Sequence, residues 1–400
     1  MANTYVKRFG LQNPFVIASS PATHGARNVI KSAAAKPGAI VMRNYGHTAG
    51  GGSEIRPYGA QMAAGAACQQ SHALATSLTE DYASYQDYLD DVARARDGMD
   101  PSVKLWVSVG YLLDLRPDFD WQEKWLKEAR AYESIGVDAI EMHLNSPGIA
   151  YIGDENGGFL EIVRESVKAA VNAVKMPVMC KLPVEGCNGF AAMQTALEAG
   201  AYAVGPTARW KGMLFDLDYE NATTAVGGGY GCSQSLPIIC YMAARARQMG
   251  IDAPMFAGGG VYTAEAAAKL ILAGSDIVQL GSLACCCGPT AVARVIRQFE
   301  ELMDRAGYAD LESMTGRAAQ APSRSEQERA QMLGDAYRTC SVDPEKCVGC
   351  GRCVDVCWYD GVRITDGKAA KTEKCVGCGY CFSACPAGAL YVDRKAVLKA

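Results

Sequence analysis

The sequence predicts an α/β chain in two parts, a (β/α)8 TIM barrel followed by a small cysteine-rich domain. Two observations carry this. Short apolar runs alternate with amphipathic stretches along residues 1–316. Near the C-terminus the pattern C-x2-C-x2-C-x3-C then occurs twice, as "CVGCGRCVDVCW" (347–358) and "CVGCGYCFSACP" (375–386).

The expected strands, in order, are "FVIASS" (15–20), "AIVMRN" (39–44), "KLWVSVG" (104–110), "DAIEMHL" (138–144), "PVMCKLP" (177–183), "AYAVGP" (201–206), "PMFAGGG" (254–260) and "DIVQLGS" (276–282). Helical patterns lie between them, for instance at 120–135, 158–174, 189–199, 235–249, 263–273 and 289–306. The hinges "SIGVDA", "EAGAYA" and "LAGSDI" put a glycine just past a helix end, where a left-handed cap favours it. Strands separated by helices pair in parallel, and eight such repeats suit a closed barrel better than an open sheet. The segment 317–340, which includes "SRSEQERAQML", is polar and helix-compatible and reads as a linker. The expected domains are therefore a barrel at 1–316, a linker at 317–340 and a C-terminal domain at 341–400.

Composition narrows the function classes. The 400 residues are 49% hydrophobic and 20% charged, as in a globular chain with a large core. No apolar run approaches the ~20 residues needed to cross a bilayer. The opening "MANTYVKRFG" has no apolar core, so no signal peptide is expected. Seventeen cysteines in such a chain read as thiolates of a reducing cytoplasm, used for metal and not for disulfides. A net charge of −4 without a basic stripe argues against nucleic acid as a partner.

The cysteine repeat has a specific chemistry. Three closely spaced thiolates reach three corners of a cubane, and the fourth cysteine of each run points across to the other cluster. One [4Fe-4S] cluster is therefore assigned to Cys347, Cys350, Cys353 and Cys385, and the other to Cys375, Cys378, Cys381 and Cys357. Gly349 and Gly377 keep the loops small enough for backbone N–H groups to approach sulfur. Zinc sites use two separated pairs of ligands instead of a tight run of four with a second copy. From about residue 341 to 395 the tail resembles bacterial two-cluster ferredoxins, which implies a two-[4Fe-4S] ferredoxin-like domain. Trp358 stands where those proteins usually have proline and is expected to shield the second cluster.

In a barrel of this kind the chemistry sits at the C-terminal ends of the strands. "AGGGV" (257–261) ends the seventh strand and "LGS" (280–282) the eighth, where small residues let backbone N–H groups close on a phosphate. Lys181, inside the apolar run of strand five, needs an anionic or electron-rich partner. "MHLNSPG" ends strand four, and the polar loop "IAYIGDENGG" after it could close as a lid. Each feature also has a structural reading: a common turn, a paired lysine, a serine before Pro147. Their convergence at strands four, five, seven and eight favours a site. No G-x-G-x-x-G followed by an acid is present, so no nicotinamide site is expected.

The pieces "NPFVIASSP", "NSPG", "CKLP", "AGGGV" and "LGS", in this order, resemble the dihydroorotate dehydrogenase-like flavoproteins. The resemblance is greatest to the dihydropyrimidine dehydrogenase branch, which appends a two-cluster ferredoxin. It implies FMN at the barrel mouth, with Ala18 and Ser19 in backbone contact and Lys181 beside the flavin N1/O2 edge. Gly258, Gly259, Gly281 and Ser282 would hold the phosphate, with Arg43, Asn145 and Thr207 also at the cofactor. It implies hydride transfer between flavin N5 and one carbon of a C=C bond. Ser146 would be the acid/base, supported by Lys181, His143 and Asn145, with His143 or Tyr151 next in line for that role.

The departures from the family concern the substrate. His143 replaces an asparagine, Asn145 a serine, and Arg43 a lysine, while "PTARW" (206–210) replaces an Asn-Thr pair. Asparagine amides both donate to and accept from a cyclic imide. Arg209, His143, Arg43 and Trp210 suit an anionic or aromatic ring instead. The expected function is an FMN- and iron–sulfur-dependent oxidoreductase acting on a conjugated cyclic substrate. The alternatives are a dihydropyrimidine dehydrogenase subunit acting on uracil or thymine, and an electron-transfer adaptor without its own substrate. The expected partners are a ferredoxin or an NAD(P)H-dependent flavoprotein subunit, and a homo-oligomer is expected. "ACCCG" (284–288) reads as core packing, and Cys68 and Cys187 as thiols near the mouth without a paired base.

Overall fold

In a computed structural model, the structure describes residues 3–45, 82, 84–109, 121–144, 158–184, 186–207, 210–212, 228–230, 233–320 and 340–391. It divides into two compact units, Met1–Gln320 and Ala321–Ala400.

The larger unit is the expected barrel. Its first six strands are β1 (Phe15–Ile17), β2 (Ala39–Met42), β3 (Lys104–Val109), β4 (Ala139–His143), β5 (Val178–Leu182) and β6 (Ala203–Pro206). A short antiparallel hairpin, β7 (Trp210–Gly212) and β8 (Gly228–Tyr230), follows. β9 (Phe256–Gly258) and β10 (Ile277–Leu280) then complete the barrel. Adjacent strands pair in parallel from β1 to β6, β9 pairs with β10, and β10 returns to β1. Bridges between Val204 and Met255 and between Thr207 and Gly258 close the remaining seam. The hairpin was not expected, because glycine-rich "GGGY" carries no alternation for a strand reading to detect.

The intervening helices are α1 (Gly25–Ala33), α2 (Tyr85–Gly98), α3 (Trp121–Ile135), α4 (Gly158–Ala173), α5 (Gly189–Glu198), α6 (Leu236–Gln248), α7 (Ala264–Ala273) and α8 (Ser282–Ala306). Helices cover the outside and side chains fill the inside, so the strands are apolar on both faces. All four residues of β2, β6 and β10 are buried. The three hinge glycines take the expected left-handed backbone, with φ of 86° at Gly136, 102° at Gly200 and 118° at Gly274. α8 breaks at Gly288 (φ 73°), just before Pro289. The helix expected from 289 is thus its second part, and a short turn from Ser282 precedes it.

Inside the barrel, Gly205 lies against the Phe256 ring and carbonyl, where any Cβ would collide. At the N-terminal ends of the strands, the Arg247 guanidinium meets Asp276 at 2.8 Å, and the same carboxylate accepts the Met255 N–H at 2.7 Å. α6 is thereby tied to the starts of β9 and β10.

The linker begins later than expected. Gly316 N–H donates to Ile271 O, Ala318 N–H to Leu272 O, and the Gln248 amide to Ala319 O. Residues 317–320 therefore belong to the barrel, and 321–339 lie outside the described residues. Cys340, expected in the linker, is 2% exposed within the smaller unit.

That unit is built as two similar halves. A short strand, β11 (Ser341–Val342), pairs antiparallel with β14 (Leu390–Tyr391). β12 (Val362–Thr365) and β13 (Lys368–Lys371) form a hairpin whose turn residues Asp366 and Gly367 have φ of 50° and 72°. An Asp-Gly pair with two positive φ angles matches the twist of the strands it joins. One-turn helices α9 (Arg352–Asp355) and α10 (Tyr380–Ala384) lie within the two cysteine runs and carry the third cysteine of each. The core is largely thiol: Cys340, Cys347, Cys353 and Cys381 pack with Val362, Ala369, Ala389 and Leu390.

Candidate functional site

The barrel mouth gathers most of the residues expected there. Ala18 follows β1 and is buried, Ser19 is half-buried, and Arg43 follows β2. His143 closes β4 beside Lys181 of β5, since the two residues are register partners. Thr207, 4% exposed, is bridged to Gly258 at the end of β9. Gly258 in turn pairs with Gln279, and a Cβ at Gly258 would lie 2.9 Å from the Gln279 Cβ and 3.0 Å from its carbonyl. Gly259 and Gly260 continue with φ of 137° and 72°. Gly281 caps the N-terminus of α8 and faces Ala18, with Ser282 as the first helical residue. Asn145, Ser146, Tyr151, Arg209, Cys68 and the expected lid loop lie outside the described residues, as does the Trp210 side chain.

Lys181 has a partner that sequence reasoning missed. Its ammonium lies 3.2 Å from Glu141 Oε1, and Glu141 is fully buried in β4. The amide of Gln279, from β10 across the barrel, donates to the other carboxylate oxygen. The expected anionic partner of Lys181 is therefore supplied by the chain itself. The signal was present: in "AIEMH" the acid occupies an inward position of a strand with both faces covered, where a carboxylate must be paired. Among the described residues, three polar atoms in this region remain buried without a partner, Ser20 Oγ, Ser108 Oγ and Gln279 Oε1. Ser108 is the register neighbour of Glu141 on β3.

Beside β2 an aromatic group forms the wall. Tyr45, Tyr82, Tyr85 and Tyr88 pack with ring centroids 5.2–6.4 Å apart, and the Tyr88 hydroxyl donates to Arg43 O at 2.7 Å. Glu128 of α3 is 3% exposed, and among the described residues its Oε1 has no hydrogen-bond partner. Burial holds its carboxyl well above the ordinary range.

The cysteine runs ring two cavities. One is lined by Cys347, Cys350, Cys353 and Cys385, the other by Cys357, Cys375, Cys378 and Cys381. Cys385 thus lines the cavity of the first run, and Cys357 that of the second. Among the described residues no three or more His, Cys, Asp or Glu side chains are grouped to hold a single metal ion. Backbone donors serve the sulfurs: Ala369 N–H to Cys347 at 3.2 Å, Gly361 N–H to Cys357 at 3.0 Å and Ala389 N–H to Cys385 at 3.3 Å. The N–H groups of Ala369 and Gly349 hold the Cys347 thiol below its ordinary pKa. Gly349 also has no room for a side chain, since a Cβ would meet the Gly367 carbonyl.

Two expectations need correction, those for Trp358 and for the cysteines of "ACCCG". Trp358 is 82% exposed and lines neither cavity, so it shields neither; Tyr359 and Tyr380 line the second cavity instead. Cys285 and Cys286 are only half-buried, and of the three cysteines Cys287 alone packs against the core. Cys187 is half-buried, and burial pushes its thiol up to about 11. Cys340, absent from the expected ligands, lines the second cavity.

Comparison with known proteins gives this geometry a context. Residues 122–303 match the family "Dihydroorotate dehydrogenase", and residues 339–386 match "4Fe-4S dicluster domain". The chain is 29% identical over 188 residues to the dihydroorotate dehydrogenase B (NAD(+)) catalytic subunit of Streptococcus pneumoniae, covering 46% of this chain and 59% of that protein. It is 26% identical over 196 residues to the subunit of the same name from Thermoplasma acidophilum, covering 48% and 64%. A putative dihydroorotate dehydrogenase A (fumarate) of Aeropyrum pernix is 28% identical over 200 residues, covering 50% and 64%. The matches thus span about six-tenths of these relatives' lengths.

Proposed function

We propose that this chain, in which a dihydroorotate dehydrogenase family domain is joined to a 4Fe-4S dicluster domain, is an FMN- and iron–sulfur-dependent oxidoreductase. It reduces or forms a C=C bond in a conjugated cyclic substrate. The observation that carries the reading is the pair of cysteine-lined cavities, an electron relay encoded with a barrel whose strand ends suit a phosphate.

The residues present fit FMN. The ends of β9 and β10 offer backbone N–H groups at Gly258, Gly259, Gly281 and Ser282, and the packing at Gly258 excludes a side chain. Ser20 Oγ and Gln279 Oε1 are buried polar atoms in need of a partner, as a bound polar ring would provide. Ala18, Ser19, Arg43, Asn145, Lys181 and Thr207 complete the holding set. When bound, FMN supplies hydride transfer at N5 and can exchange single electrons with two [4Fe-4S] clusters, one on Cys347, Cys350, Cys353 and Cys385 and one on Cys375, Cys378, Cys381 and Cys357.

The chain's own residues do the rest. Lys181, fixed by Glu141, presents a positive charge that favours anionic over neutral forms of a neighbouring ring. Ser146, on the loop after β4, moves the proton at the substrate carbon next to the one that exchanges hydride. An unactivated serine is a weak acid, so it acts in concert with hydride movement or through water. Arg43 and His143, at the ends of β2 and β4, favour an anionic or aromatic ring over uracil or thymine. Electrons enter or leave through a partner, a ferredoxin or an NAD(P)H-dependent flavoprotein. Anaerobic reoxidation of the dithionite-reduced protein by cyclic enones, pyrimidines and aromatic acids tests the reading. Fast reoxidation by an anionic or aromatic unsaturated ring supports it. Uracil as the best oxidant would favour the pyrimidine enzyme, and no reoxidation by any ring would leave only electron transfer.

A further inference from the structure

The two cysteine cavities differ by one thiol. The first is lined by four cysteines, the second by five, the fifth being Cys340. Cys340 lies outside the repeated pattern, seven residues before Cys347. Its place is set by backbone: Ser341 and Val342 pair with Tyr391 and Leu390, and Asp343 N–H donates to Ala389 O at 2.7 Å. The thiol is 2% exposed, and its sulfur is 3.9 Å from that of Cys375.

Four thiolates complete a cubane, one on each iron. A fifth sulfur has no open iron to bind. An iron-bound thiolate can accept a hydrogen bond but not donate one, so the proton between the two sulfurs must come from Cys340. The structure assigns Cys340 as an S–H donor to the Cys375 sulfur that raises the reduction potential of that cluster alone. A hydrogen bond to a cluster sulfur stabilises the more negative, reduced state, and it is among the protein's means of setting cluster potential. This inference rests on the ligand assignment proposed above.

The test is a redox titration followed by electron paramagnetic resonance, on the anaerobically purified full chain and on its Cys340→Ala and Cys340→Ser variants, with iron counted in each. Wild type should show two clusters. Cys340→Ala should keep all its iron and lower one midpoint only, so that at the wild-type midpoint the reduced-to-oxidised ratio falls roughly 3–10-fold. Cys340→Ser retains a donor, and its midpoint should return toward that of wild type. Unchanged midpoints in Cys340→Ala would overturn the inference. So would a Ser variant identical to Ala, which would indicate packing, or iron loss in the variants, which would make Cys340 a ligand. A wild-type chain with one cluster would overturn the ligand assignment itself, and the inference with it.

Discussion

Replacing Lys181 with methionine tests whether the barrel interior is held by an ion pair. The substitution keeps the length of the side chain and removes its charge, leaving Glu141 fully buried with only the Gln279 amide as partner. At 3.2 Å and an effective dielectric constant of about 20, the pair is worth ~5 kcal/mol of attraction. Breaking a buried pair by removing one partner typically costs about 3–5 kcal/mol, because the remaining charge is uncompensated. The expected loss is therefore about 3–4 kcal/mol, the surviving amide bond keeping it below the upper end. Guanidinium unfolding followed by circular dichroism on flavin-stripped protein measures it. The control is the double variant Lys181→Met/Glu141→Gln, in which no charge is left behind. It should recover all but about 1–2 kcal/mol. A single variant that costs under ~1 kcal/mol, or a double variant as unstable as the single, would refute the pairing.

Three other outcomes are expected. Glu128→Gln should stabilise the protein at pH 8 relative to wild type more than at pH 5. The wild-type carboxyl is held above its ordinary pKa by burial, so the stability it permits is complete below about 4.5 and is lost as pH rises toward the folded value. Equal melting differences at the two pH values would contradict this. Ser146→Ala should slow substrate turnover by ~10²–10⁴-fold with flavin content unchanged, as single-turnover kinetics would record; an unaltered rate removes Ser146 from the chemistry. Cys385→Ser should damage the cluster held by Cys347, Cys350 and Cys353 and spare the one held by Cys375, Cys378 and Cys381; the converse loss in resonance spectra would show that the fourth cysteines do not cross.

The barrel strands were legible because a strand buried on both faces must be nearly all apolar, and β2 ("AIVM") and β5 ("VMCKL") differ from helices in length as well. The glycine hinges were legible because a left-handed cap strongly prefers that residue. The cluster cysteines were legible because a cubane dictates ligand spacing. What escaped has equally physical causes. Glu141 reads as one polar residue in an apolar strand, and only the folded sheet shows that its side chain reaches Lys181, whose register partner is His143. Cys340 belongs to no repeat; the pairing of β11 with β14, distant in sequence, brings it to the second cavity. The barrel keeps residues 317–320 through backbone hydrogen bonds, which a polar side-chain pattern does not record.

The most direct test of the account is the cofactor content of the full chain purified without oxygen. It predicts one FMN per chain, released on denaturation and rebound on refolding or reconstitution, together with about eight iron atoms. A chain that carries the iron but neither retains nor takes up FMN would contradict it.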